Sequence, residues 1–156
     1  MKKVILASTS PRRKDILSKT LIPFEIQESS YEEDMTLDMP AEELAEFLSA
    51  GKARAVAAAN TDAIIIAADT FVVYQHHRLG KPKTPERAKE MLEMLSGKQH
   101  EIVTGVTIIG TESGKEVSFH EATKVMMATL SPEIIEAYIQ TGEPLGMAGA
   151  YALQET

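Results

Sequence analysis

Lys3-Val4-Ile5-Leu6-Ala7-Ser8-Thr9-Ser10-Pro11-Arg12-Arg13-Lys14 is the stretch on which the reading of the fold turns. Lys3 to Ala7 read as a buried, edge-free first strand. Serine followed by proline then signals a helix start. Ser10 can cap, and Pro11 suits the first turn, where its missing N–H is not needed. The helix extends to about Lys19. A strand, a short hydroxyl-rich loop and a helix N-terminus together favour bound anions, because unsatisfied N–H groups and the helix dipole point at the ligand. Arg12 and Arg13 add bidentate forks. Cations at that end oppose the dipole by about 0.3–1 kcal/mol each, and a bound anion would offset this. The residues alone leave two readings open: a phosphate corner, or a capped helix with a solvated basic first turn.

Working outward, Ile22 to Gln27 read as a second strand and Ser29 to Asp38 as a polar loop. A long helix from Pro40 to about Ala59 follows, with Leu44, Phe47, Leu48 and Val56 as its apolar stripe. The run Ala63-Ile64-Ile65-Ile66-Ala67-Ala68 lacks polar alternation, as a strand buried on both faces should. It is expected to end at Asp69-Thr70 and resume at Phe71-Val72-Val73-Tyr74. His76 to Gly80 read as a polar turn into Lys81-Pro82. Thr84-Pro85 opens a helix whose Ala88, Met91, Leu92 and Leu95 share a face, and Gly97 ends it. Glu101 to Ile109 and Glu116 to Leu130 read as strands of a hairpin joined at Gly110 to Lys115. Ser131-Pro132 starts a last helix through Ile139, closed by Gly142. The order β-α-β-α-β-β-α-β-β-α predicts an α/β domain with a mixed sheet.

At 156 residues, with 44% hydrophobic and 25% charged residues, the chain has the size and composition of one globular domain. The absence of cysteine excludes disulfides and thiolate metal sites. No apolar run approaches the ~20 residues that span a bilayer. The N-terminal apolar run is too short for a secretory signal, so a cytoplasmic location is expected. A net charge of −7 argues against coating polymeric nucleic acid, which needs a broad basic face. It leaves room for a small phosphorylated substrate held by local cations, backbone donors or a metal. Arg12, Arg13 and Lys14 cluster by the early turn, while acid gathers at Glu28, Glu32, Glu33 and Asp34.

Asp69 stands where α/β proteins place their ligands, at the expected end of a central strand. A carboxylate there can ligate Mg²⁺ or Mn²⁺ or polarise a water, or it can simply bond a turn backbone. Glu32 and Glu33 could join it in a hard oxygen site, although a solvated acidic turn explains them equally well. Lys52 and Lys81 could be plain surface charge. Gly80 and Pro82 constrain the backbone around Lys81. Gly110 to Lys115 falls one residue short of P-loop spacing and precedes a strand, so it reads as a hairpin turn. His76, His77, His100 and His120 lack ligand-like spacing.

Ordered along the chain, several of these pieces resemble the Maf-like nucleotide pyrophosphatases. They are Leu6-Ala7-Ser8-Thr9-Ser10-Pro11-Arg12-Arg13, Lys52-Ala53-Arg54-Ala55, Ala68-Asp69-Thr70, Leu79-Gly80-Lys81-Pro82, Leu95 to His100, Val103-Thr104-Gly105-Val106, and Gly142-Glu143-Pro144 through Ala148-Gly149-Ala150-Tyr151 to Gln154. The resemblance implies an elongated single α/β domain over 1–156, its mixed twisted sheet flanked by helices around a central cleft, similar to the inosine triphosphatase architecture. It also implies hydrolysis of a nucleoside triphosphate to a monophosphate and pyrophosphate with a divalent cation, Mg²⁺, Mn²⁺ or Co²⁺. By matching position Asp69 would be the general base and, with Glu33, a metal ligand. Ser8, Arg12, Arg13 and Lys81 would hold phosphate, and Glu33 and Lys52 would complete the polar site. Arg12, Thr70 and Gln154 match the specificity positions of the branch that prefers dTTP and UTP.

Two departures accompany the resemblance. Met147 and Gly146 stand where the family has lysine and aspartate. The family's further C-terminal strands and helix are not in this sequence, which is expected to leave a sheet edge that invites homodimerisation. The rival readings are a nucleotide-binding or regulatory protein without turnover, and an enzyme of the inosine triphosphate pyrophosphatase group.

Overall fold

The computed structural model describes residues 2–153. Its elements are β1 (Lys3–Leu6), α1 (Pro11–Ser18), β2 (Glu25–Ile26), α2 (Ala41–Ala57), β3 (Ala63–Tyr74), β4 (His77–Leu79), α3 (Pro85–Leu95), β5 (Gln99–Gly110), β6 (Lys115–Met126) and α4 (Pro132–Gln140), followed by two short 3₁₀ turns. The sheet is mixed, as expected. Its strand order is β2-β1-β3-β5-β6, with β4 paired to β3. β1 lies parallel to both β2 and β3, which makes it the interior strand that its apolar run requires. Two compact units divide the chain: Met1–Asp69 with Thr104–Glu121, and Thr70–Val103 with Ala122–Thr156.

In the first unit, Ile5, Ala63, Ile65, Ala67 and Ile109 from three strands, with Ala7 just past β1, meet Ala53 and Val56 of α2. Burying each of the larger side chains contributes about 1.5–3 kcal/mol. Small residues on α2 let it approach β5 closely. A Cβ on Gly105 would overlap the Ala45 carbonyl, so glycine is needed there for space alone. A buried hydroxyl chain fixes the same contact, with Ser49 Oγ 2.7 Å from Thr107 Oγ1 and Thr107 Oγ1 2.8 Å from Ser118 Oγ. Every polar atom placed in that seam therefore has a partner.

The second unit has its own core of Val72, Leu79, Ala88, Met91, Leu92, Leu95, Ile135, Ile139 and Ala150. Its two helices start as their sequences dictate. Thr84 Oγ1 accepts from the Arg87 N–H at 3.2 Å, and Ser131 Oγ accepts from the Ile134 N–H at 3.3 Å.

Four expectations are corrected. β3 does not stop at Asp69-Thr70 but runs unbroken from Ala63 to Tyr74. Thr70, Phe71, Val72 and Val73 after Asp69 are strong strand formers, and Lys52 compensates the buried carboxylate, so no turn is needed to satisfy Asp69. β2 shrinks to Glu25–Ile26, because Pro23 has no N–H to donate to a ladder. Within the expected polar turn, His77–Leu79 form a short strand antiparallel to β3, and Gln75 adopts the left-handed φ of 53° at the turn. β6 ends at Met126, earlier than Leu130.

Candidate active site

β1 delivers the chain into the Ala7–Ser10 loop, where the Ala7 N–H still bonds the Ile66 carbonyl at 2.8 Å. Ser8 is buried, and its Oγ accepts two bonds: from the Ser10 N–H at 3.3 Å and from Arg13 Nη1 at 3.2 Å. Ser10 occupies the cap position of α1 but makes no side-chain cap bond, contrary to expectation. Burial pulls the Arg13 guanidinium below its ordinary value, opposed by the charges of Asp69 and Glu33 and reinforced by Arg12. A guanidinium keeps its proton at any working pH, so this is a half-buried permanent cation. Those electrostatic partners bring the helix corner and Asp69 into one neighbourhood.

Asp69 sits on β3 three residues past the last β1–β3 pair, Leu6↔Ile66. Its side chain is only 6% exposed, and it is bonded by Lys52 Nζ from α2. Lys52, itself 12% exposed, also meets Glu33 Oε1 at 2.6 Å. One ammonium thus bridges two carboxylates from different elements. Burying a carboxylate and an ammonium costs several kcal/mol per ion unless geometry and hydrogen bonds compensate, so this cluster is stability given up for placement of charge.

Of the residues singled out by sequence, Ser8, Arg13, Glu33, Lys52 and Asp69 converge in the first unit. Arg12 is half-buried at the second position of α1, while Glu32 stays exposed. Thr70, the next residue on β3, is half-buried, and Lys81 is exposed just after β4; both belong to the second unit. Gln154 lies outside the described residues. Met147 is buried in the second unit, where its Sδ accepts from the Tyr138 hydroxyl at 3.6 Å. It fills space rather than presenting a polar end. The sequence reading gave no role to Ser29 or Tyr31, which touch α2 at Gly51 and Lys52 just ahead of Glu33. The signal that could have found them is a glycine at position 51, inside a run of good helix formers.

Among the described residues, no group of three or more His, Asp or Glu side chains is placed to hold a metal by itself. Two carboxylates converging on one cation do suit a hard dication of the Mg²⁺ kind, which takes one or two carboxylates and completes its shell with water and substrate phosphates.

The family model described as Maf-like protein matches residues 3–156. A dTTP/UTP pyrophosphatase of Moorella thermoacetica is 46% identical over 154 residues, spanning 99% of this chain and 79% of the relative. One from Methanosarcina mazei is 47% identical over 155 residues, with 99% and 79% covered. One from Bacillus cereus is 47% identical over 154 residues, with 99% and 80% covered. Among solved structures, the Ham1 protein of Staphylococcus aureus superposes with a TM-score of 0.54 at 16% identity, covering 80% of this chain and 71% of its own, a likeness of fold.

Proposed function

The chain belongs to the Maf-like protein family, and from that premise we propose that it is a nucleoside triphosphate pyrophosphatase acting on dTTP and UTP. The observation that carries the mechanism is the buried Asp69 carboxylate, held by Lys52 within the field of Arg13. Ser8, Arg12 and Arg13 bind the polyphosphate oxygens. Asp69 is the general base. It takes a proton from a water as the water oxygen bonds to the α-phosphorus. The bond from that phosphorus to the α–β bridging oxygen then breaks, and its electron pair leaves with pyrophosphate. Lys52 orients Asp69 and, with Arg13, offsets charge that grows on the phosphoryl oxygens. Asp69 and Glu33 would hold a divalent cation (Mg²⁺, Mn²⁺ or Co²⁺), which would supply Lewis-acid neutralisation of the polyphosphate. The residue types at Arg12, Thr70 and Gln154 support pyrimidine triphosphates as the substrate.

The role is cytoplasmic house-cleaning of nucleotides. No helix among the described residues is long and apolar enough to cross a membrane. β6 ends the strand order and is mostly exposed, which supports pairing between copies of the chain.

The test is pyrophosphate release from a nucleotide panel with each cation in turn. Fast, cation-dependent release from dTTP and UTP supports the reading. Preference for inosine or xanthosine triphosphate would move the chain to another substrate class, and calorimetric nucleotide binding without release would make it a binding protein.

A further inference from the structure

α2 contains one glycine, Gly51, beside the site lysine. Glycine within a helix costs about 1 kcal/mol relative to alanine. Its backbone φ is not among the positive ones, so conformational freedom does not explain it. Space does. A Cβ at Gly51 would lie 2.7 Å or less from Cζ, Cε1 and Cε2 of Tyr31. The Tyr31 ring therefore rests in a notch that only glycine leaves on the helix. The preceding residues tighten the same seat: Ser29 Oγ donates to the Lys52 carbonyl at 3.2 Å and accepts from the Tyr31 N–H at 3.2 Å. Two residues on, Glu33 meets Lys52 Nζ.

We propose that Tyr31 is a positioning residue: seated over Gly51, it fixes the Glu33 loop so that Glu33 and Asp69 hold Lys52 between them. Glu33 lies on an irregular loop with its side chain 43% exposed, so its own ion pair is too weak to order the segment. The ring and the Ser29 bridge supply the order. The catalytic consequence rests on the pyrophosphatase reading, while the structural one does not.

The experiment is a cycle of Gly51→Ala, Tyr31→Val and the double variant, each in wild-type and Glu33→Gln backgrounds. Alanine at position 51 displaces the ring despite its better helix propensity. The expected result is a fall in kcat of about tenfold with KM changed by less than about twofold, because sub-ångström misplacement of a site residue acts on turnover. Tyr31→Val removes the ring and lowers kcat to a similar degree, and the double variant loses little more than either single change, because both act on the same seat. In the Glu33→Gln background Gly51→Ala adds little further loss, because the residue it acts through is already gone. Carboxyl ¹³C NMR of Glu33 gives a readout that does not depend on turnover. Its signal moves toward that of a solvated glutamate in Gly51→Ala, in Tyr31→Val and in the double variant alike. An unmoved Glu33 signal in Gly51→Ala, or losses that add fully to Glu33→Gln, would overturn the proposal. A wild type without turnover would instead overturn the functional reading and leave the NMR arm to decide the positioning.

Discussion

Replacing Lys52 with methionine keeps length and apolar stem but removes the charge that Asp69 is buried against. Breaking a buried pair by deleting one partner costs about 3–5 kcal/mol, because the remaining charge is left uncompensated. Here the Asp69 side chain is 6% exposed and loses a direct contact, while the field of Arg13 remains to offset part of the loss. Glu33, at 43% exposure, rehydrates and contributes little. The expected net cost is about 3 kcal/mol, near the low end of that range. For a chain of this length each kcal/mol lowers Tm by about 2–4 °C, so Lys52→Met should melt about 6–12 °C below the wild type. Adding Asp69→Asn removes the stranded charge and should return the double variant to within about 1 kcal/mol of the wild type, since deleting both partners of a buried pair is often nearly neutral. Thermal and urea unfolding followed by circular dichroism measure both. A single variant melting within about 2 °C of the wild type, or a double variant no more stable than the single, would refute the claim that Lys52 neutralises a buried Asp69.

Three further outcomes follow from named contacts. Gly105→Ala pushes a methyl into the backbone of α2 at Ala45 and Glu46, so it should lower stability by about 1–3 kcal/mol or more, read from urea midpoints. Ser8→Ala removes the acceptor shared by Arg13 and the Ser10 N–H, and steady-state kinetics should show a higher KM for dTTP, because the guanidinium loses one of the contacts that orient it toward phosphate. His100 is buried with Nε2 2.5 Å from the Tyr151 hydroxyl, and burial lowers its pKa below the ordinary 6.5 while pushing Tyr151 up to about 12. The unfolded chain therefore binds the extra histidine proton first as pH falls below 6.5, and stability drops with acidification. Melting curves at successive pH values should show that loss in the wild type and a shallower one in His100→Gln.

The elements were legible where periodicity and caps agreed. Thr84-Pro85 and Ser131-Pro132 start their helices as written, and the apolar run at Ala63 is the central strand. Boundaries failed where one residue outweighed a pattern, as when Pro23 cut β2 short. Asp69 was found by its place after an apolar run, yet it lies inside a continuous strand rather than at its end. A carboxylate can stay extended and buried only when a cation reaches it, and Lys52 is 17 residues away in sequence. That pairing is a property of how α2 packs on β3, which no local pattern carries. The same holds for Tyr31 and Gly51, 20 positions apart yet sharing one seat.

The measurement closest to the central claim is hydrolysis of dTTP in ¹⁸O-labelled water, with Asp69→Asn run alongside. Attack on the α-phosphorus puts the label in the nucleoside monophosphate and none in pyrophosphate, and the variant should lose nearly all of the rate. Label in the pyrophosphate, or an Asp69→Asn enzyme that turns over like the wild type, would contradict the account.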